Sequence, residues 1–435
     1  MMVGMRFFLI LAAVALLVGL ARAQAPQTLT LKDAETIALA AHPRIQAASA
    51  TALAAEKVIT EVRSAYYPTT YGNLTGVKTQ TGTRLATGYL AASNVYDRYA
   101  DGLVVSQLVT DFGRTAKLSQ TAELQASSQR EGIVVSRADV LLGVDQAYFR
   151  TMKAQAVLTV AEQTVNERQV VANRVEALAK AKLKSGLDVS FAEVNLGQAE
   201  LLLVAAQNDL KAAYADLSLA LGFPDRRQFI LTEEPLPPAP PQEVDALLAE
   251  AFSQRPELAR QRFTAQSAHA FELAERDLWF PTISSLANLG LVQVGDTTGK
   301  TKVFRSSYVA GGFNVAIPVF NGKLFSARHA EASFRAQAEE RRLRDDENKV
   351  AHEVQVAWLD ALTAYQRLDL TARILTQATQ ALKLADARYR MGLSSIVELQ
   401  QAQLNQTQAA IDQASAKYDY AARAAALNYA VGLLR

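Results

Sequence analysis

The sequence predicts a mainly α-helical chain built as a tandem duplication, each half holding a β-hairpin followed by a long helical hairpin. Three observations lead there. Prolines are absent from 69–223 and from 319–435, and glycine is absent as well from Lys323 to Met391. As one helix, that last run would reach about 100 Å at about 1.5 Å per residue, against a usual length near a dozen residues. Apolar seam residues recur at spacings of three and four, and short motifs recur 205 to 213 positions apart.

The first 23 residues read as a leader. Arg6 gives a positive start, Phe7 to Leu20 form an apolar core, and Ala21-Arg22-Ala23 is the small-residue pattern that signal peptidase cuts. Cleavage is expected after Ala23, so 1–23 is read as a signal peptide and the chain as exported. Beyond it, no apolar run approaches the roughly 18–20 residues of a transmembrane helix, so a membrane role would require β-strands or a surface-lying element. Of 45 basic residues, Arg6 and Arg22 fall in the leader, which leaves the remainder in balance with 43 acidic residues. That balance gives no electrostatic case for nucleic acid or an anionic membrane surface. The chain has no cysteine, which excludes disulfides, thiolate chemistry and lipid attachment to an N-terminal cysteine.

The first repeat is placed at 24–231. A helix beginning near "HPRIQAA" (42–48) runs to "YYPT" (66–69), where Pro68 stops the helix and a strand begins. A β-hairpin is expected over about 69–111 and a long helical hairpin over about 112–222. Its second arm carries Leu196, Ala199, Leu203, Ala206, Leu210, Ala213, Leu217 and Ala220, a heptad seam in which alanine allows close backbone approach. The turn is expected at Gly186, a residue suited to a left-handed helix cap. Five prolines in seven residues make the linker at 232–243 stiff and extended.

The second repeat, 244–435, follows the same order. "RPELARQ" (255–261) answers the first helix start, and "LWFPT" (278–282) answers "YYPT"; Pro281 follows Pro68 by the same 213 positions that separate Pro256 from Pro43. A β-hairpin is expected over about 282–319. Its last strand alternates, with Val309, Gly311, Phe313, Val315 and Ile317 on one face. A helical hairpin follows over about 321–432, with a seam from Ala361 to Tyr389 and a turn at Gly392. The paired aromatics before each Pro suit either a water–hydrocarbon interface or a packed helix–strand corner.

Chemical motifs are scarce. His42, His269, His329 and His352 lie far apart in the sequence without a metal-ligand spacing, no glycine loop suits a phosphate, and "DFG" at 111–113 has no accompanying kinase motifs. It reads as a strand end and helix start. No catalytic, cofactor or metal site is expected, and the chain is read as no enzyme. Four strands pose a closure problem, because a spanning β-structure must be a closed barrel and the smallest have about eight strands. The strands, like the wide apolar helix faces, point to a homo-oligomer.

Taken together, the duplicated layout, "HPRI" and "RPEL", the aromatic-Pro strand entries, "NGK" at 321–323, "YRMGLSSIVEL" at 389–399 and "AVG" at 430–432 resemble the TolC-type outer membrane efflux protein (outer membrane factor) family across essentially the whole mature chain. The resemblance implies a homotrimer in the outer membrane of a Gram-negative cell. Each protomer would give four strands to a 12-stranded transmembrane β-barrel in outer membrane lipid, and the helical hairpins would form a periplasmic α-barrel. It implies passive conduction for a tripartite efflux or type I secretion system, with a periplasmic adaptor (membrane fusion protein) and an inner membrane pump of RND, ABC or MFS type as partners, and no nucleic acid. The adaptor-docking tip would comprise Gly186, Leu187, Asp188, Val189 and Ser190 with Arg390, Gly392, Leu393, Ser394, Ser395 and Ile396. The resemblance puts a pore constriction at Glu398. Gln401 stands where the family's next acidic residue is expected, and Glu193 is read as the first-half counterpart of Glu398. The alternative is a soluble periplasmic coiled-coil adaptor or scaffold.

Overall fold

The computed structural model describes residues 28–78, 84–85, 93–94, 98–294 and 304–434. The leader and the loop at 295–302 lie outside these residues, as does most of the loop near 82–94. In the first half the elements are β1 (Thr28–Leu29), α1 (Leu31–Ala41), α2 (Pro43–Arg63), β2 (Thr69–Val77), β3 (Arg84–Leu85), β4 (Ser93–Asn94), β5 (Arg98–Thr110), α3 (Arg114–Lys180) and α4 (Gly186–Ala220). The second half holds β6 (Ile230–Leu231), α5 (Asp245–Gln254), α6 (Pro256–Arg276), β7 (Thr282–Val294), β8 (Phe304–Ala316), α7 (Leu324–Arg390) and α8 (Ile396–Val431).

Two compact units form. One comprises Met1–Gln46, Ser136–Gln254 and Val350–Arg435, the other Ala47–Val135 and Arg255–Lys349. Each takes segments from both halves of the sequence.

The second unit contains a four-stranded antiparallel sheet in the order β2-β5-β7-β8. Each strand entry uses the same device. A 3₁₀ turn (Ser64–Tyr66, Asp277–Trp279) ends the helix, and proline follows before Thr69 or Thr282 starts the strand. Strand exits match too. Phe112 and Gly113 are both left-handed before α3, as Gly322 and Lys323 are before α7. Asp111 caps α3, its carboxylate accepting from the Thr115 amide at 2.7 Å. The "DFG" triplet thus does what its position suggested.

The helical unit packs alanine at its seam. Ala192, Ala199, Ala206 and Ala213, seven residues apart, are buried while Leu196, Leu203 and Leu210 are half-buried. Ala361, Ala364, Thr371, Ala385 and Tyr389 play that part on α7. One expectation needs correcting. By length and composition α4 is apolar enough to cross a membrane. The reason is that this helix carries an exposed apolar stripe (Val194, Leu201, Val204, Leu219) besides its buried alanines.

The Pro-rich linker runs extended, and Glu234, Pro237 and Pro240 are half-buried among exposed neighbours. That period of three is the repeat of a polyproline II strand. Its carbonyls are read by aromatic donors: Tyr148 of α3 donates to Thr232 at 2.6 Å, Trp358 of α7 donates to Pro241 at 2.8 Å, and Tyr420 of α8 donates to Pro238.

Candidate functional site

Register assigns every strand residue to a face. One row across the sheet reads Gly72, Leu103, Leu289, Val309, and the next on the same face reads Thr70, Val105, Ala287, Gly311. Phe313, Val315 and Ile283 share that apolar face. The opposite face reads Asn73, Gly102, Gly290, Tyr308, then Tyr71, Val104, Asn288, Ala310. Here glycine is required by close approach: a Cβ on Gly102 would come within 2.9 Å of the Tyr308 hydroxyl and 2.6 Å of the Leu289 carbonyl. Tyr308 lies over this glycine pair; the first face is apolar along its central rows, with Asp101 and Gln107 further along it, and the second sets Val104 and Leu286 among small and polar residues. Leu74 and Val309 remain 88% and 86% exposed, and the outer strands β2 and β8 have no further strand partner among the described residues.

At the strand–helix ends of the sheet the aromatics gather. Tyr66, Tyr67, Phe112, Trp279, Phe280 and Phe320 are all exposed. Trp279 meets Phe325 edge-on at 5.7 Å, and Phe112 lies 6.3 Å from Phe280. The second aromatic pair packs a helix–strand corner while both rings stay exposed. Beneath them Glu275 is buried and clamped by Arg328, with 2.6 Å from Nε to Oε2 and 2.9 Å from Nη2 to Oε1. Arg114 approaches it at 3.5 Å.

The two helical hairpins turn by one geometry. After α3 the Lys182 amide donates to Ala179 and the Leu183 amide to Leu178; after α7 the Gly392 amide donates to Tyr389 and the Leu393 amide to Arg388. Each is a Schellman cap with one left-handed residue, Lys182 at φ 60° and Gly392 at φ 75°. Ser185 and Ser395 then cap the following helices, accepting from Asp188 and Glu398. The expected turn at Gly186 is therefore corrected: Gly186 is the first residue of α4, in the place that Ile396 holds in α8, and Lys182 is the left-handed residue. The alignment of caps also makes Asp188, not Glu193, the counterpart of Glu398. Motif matching centred on glycine missed this because the first turn has no glycine where the second does.

Of the tip residues, Leu187, Leu393 and Ser190 are exposed, Val189 and Ser394 half-buried, and Ile396 buried. The Ser185 hydroxyl bonds the Asp188 carboxylate at 2.7 Å, which holds that acid below the usual carboxylate range. Arg390 pairs with Asp386. Glu398 is exposed and lies 3.5 Å from Arg388 Nε, Gln401 donates to Asn405 at 2.9 Å, and Glu193 is exposed on α4. The starts of α4 and α8 adjoin, since Gln400 donates to the Phe191 carbonyl at 2.7 Å.

The profile of the family described as "outer membrane efflux protein" matches residues 36–223 and 247–433. The chain belongs to the outer membrane efflux protein family. Two matched segments repeat the duplication read from the motifs. Among relatives, Protein CyaE of Bordetella pertussis is 26% identical over 388 residues, 86% of this chain and 78% of that protein. The toluene efflux pump outer membrane protein TtgC of Pseudomonas putida is 25% identical over 334 residues, and the chain spans 64% of its length while 72% of the chain is covered. The crystal structure of VceC from Vibrio cholerae superposes with a TM-score of 0.77 at 18% identity, covering 92% of this chain and 96% of that one. CusC gives 0.77 at 20% identity, with 92% of each chain covered. These likenesses show the fold: long helical hairpins with a β contribution. As a member of this outer membrane family, the protein resides in the outer membrane, with a large periplasmic helical part. Outer membrane efflux proteins are channels rather than enzymes.

The structure also unites residues that the sequence separates. His269 Nδ1 lies 2.9 Å from Glu272 and His329 Nε2 lies 4.0 Å from the same carboxylate. Two of four histidines thus share one acid across α6 and α7. Among the described residues no group of three or more His, Cys, Asp or Glu is arranged to hold a metal ion. Deeper in the helical unit Asp145 is buried beside Glu35, and burial together with the Glu35 charge pushes its carboxyl up to about 8. Neither pair had a sequence signal, because each joins helices distant along the chain.

Proposed function

We propose that three copies of this chain close a 12-stranded barrel and form an outer membrane channel that conducts exported substrate passively, without catalysis, from a periplasmic adaptor and an inner membrane pump to the exterior. The observation that carries this reading is the sheet: four strands, two outer strands that each have one edge unpaired among the described residues, and an exposed apolar row through Leu103, Leu289 and Val309 on one face. In lipid, unpaired edges are not tolerated, so such a sheet must be completed by further strands. One chain is too small for the smallest barrels, of about eight strands, whereas three chains give an even twelve. The apolar face then meets hydrocarbon, the face of Asn73, Asn288 and Asn314 lines the lumen, and the exposed aromatics take the interface.

In the same reading the two Schellman turns form the tip that docks the adaptor, through Gly186 to Ser190, Arg390, and Gly392 to Ile396. Glu398 contributes three carboxylates to a constriction, where like charges around an axis attract cations. Asp188, its counterpart by turn geometry, is the first-half residue to test beside Glu193. In this reading the chain carries a signal peptide at 1–23, repeats at 24–231 and 244–435, and a linker at 232–243.

The first experiment is the mass of the particle that detergent extracts from outer membranes. A trimer supports the channel. A monomer or dimer released in the soluble periplasmic fraction overturns it in favour of an adaptor or scaffold. For the tip, Glu398→Ala is expected to relieve divalent-cation block of single-channel current; unchanged block removes Glu398 from the constriction.

A further inference from the structure

Arg168 is an anomaly in the helical unit. It is 2% exposed, its Nη2 donates to the Gln403 carbonyl and the Thr407 hydroxyl at 2.9 Å each, and its buried Nη1 has no partner. A buried cation ordinarily comes with a carboxylate, because desolvation penalises an unpaired charge. Among the described residues Arg168 forms no ion pair; Glu167, next in the chain, favours its charge without pairing, and burial lowers the guanidinium from its usual value.

Arg168 forms part of the wall of a cleft of about 390 Å³ between α3, α7 and α8. Arg174, Lys383 and Arg390 also line it, against the two carboxylates of Glu167 and Asp386, so four cations face two anions. Asp386 is already engaged by Arg174 at 3.2 Å and by Arg390. Glu167 favours the charge of Arg168 without pairing with it and Lys383 is exposed, so the lining carries a net excess of two positive charges.

We propose that this cleft binds a small, doubly charged oxyanion of the phosphate class, held by Arg168 and Lys383. The charge excess matches a dianion better than a monocarboxylate, and guanidinium with ammonium is a donor set that phosphate oxygens accept well. A bound oxyanion would tie α3 to α7 beside the Arg174–Asp386 pair, at the level where Arg168 already anchors α8 through Gln403 and Thr407. The site thus fixes three helices against one another near their hairpin turns. It does not depend on the conduction reading.

The test is isothermal titration of the full-length, detergent-solubilised protein with inorganic phosphate, at ionic strength held constant with chloride, alongside thermal unfolding. Saturable binding with a matching rise in Tm is expected. Lys383→Gln, on the exposed rim, should weaken that affinity by about tenfold, the worth of one charge-assisted hydrogen bond; Arg168→Gln should abolish it. If Arg168→Gln does not fold, the Lys383→Gln comparison stands alone. No saturable heat, or equal affinity in the parent and Lys383→Gln, overturns the site. A rise in Tm that never saturates and is common to all variants is general salt exclusion and also overturns it.

Discussion

The two compact units obey one patterning rule and reach opposite results. In the helical unit a core of large apolar and aromatic side chains, Tyr148, Leu217, Val354 and Tyr420 among them, is almost wholly enclosed. In the sheet unit Leu74, Val309 and Phe313 stand in the open, the last at 78% exposure. Both patterns put apolar residues on one face. What differs is what that face meets: another helix of the same chain in one case, and in the other a surface left uncovered among the described residues. An apolar face tells where water is absent, and only the packing tells whether protein or lipid replaces it.

The sharpest way to break this comparison is to cut one residue on each side. Leu217→Ala removes a fully enclosed side chain and leaves a cavity, so the helical unit should lose roughly 2–5 kcal/mol in denaturant unfolding. Val309→Arg, on the apolar sheet face, should cost roughly 2–4 kcal/mol if the residue sits at bilayer mid-depth, read as failed insertion or lost heat-resistant oligomer. The same Arg at Asn314, on the opposite face of the same strand, should be close to neutral. Equal costs at 309 and 314 would mean that the two faces do not meet different solvents.

Much of this was legible in the sequence. Proline and glycine spacing marked the long helices, the strand entries and the linker, since both residues act on backbone geometry locally. The alternation in β8 marked one apolar face, but β5 and β7 alternate poorly because Asp101, Gln107 and Gln293 fall on that face while Val104, Leu286 and Val292 fall on the other. Register, which only the paired strands reveal, assigned each residue to its face. The tip was half legible. Its second turn carries glycine at the left-handed position, while the first carries Lys182, which no propensity would nominate. The Arg168 cleft and the Asp145–Glu35 pair were illegible, since each joins residues of different helices whose spacing encodes nothing.

Asp145 sharpens the comparison from the buried side, where ionisation is what enclosure penalises. Folded, its carboxyl keeps a proton until about pH 8, while in the unfolded chain an ordinary aspartate releases it near 3.8. Between those limits the native state binds more protons, so this group makes stability fall as pH rises, by at most about 1.4 kcal/mol per pH unit for one proton. Asp145→Asn should flatten the unfolding free energy across that window. A slope that survives the substitution would place the titrating group elsewhere.

The smallest effect compares the two turns themselves. Lys182 and Gly392 hold the same place in matching Schellman caps, and only the first has a Cβ to strain there. A left-handed non-glycine residue costs about 1–2 kcal/mol, and glycine gives back about 0.5–1 kcal/mol through the freedom it has when unfolded. Lys182→Gly should therefore stabilise the first turn by up to about 1 kcal/mol, and Gly392→Lys should destabilise the second by a similar amount. Hydrogen exchange at the Leu183 and Leu393 amides, which close the two caps, reads each turn separately. Should the swaps leave both amides unchanged, the turns are held by the helices around them, and the glycine of the second repeat carries no conformational demand of its own.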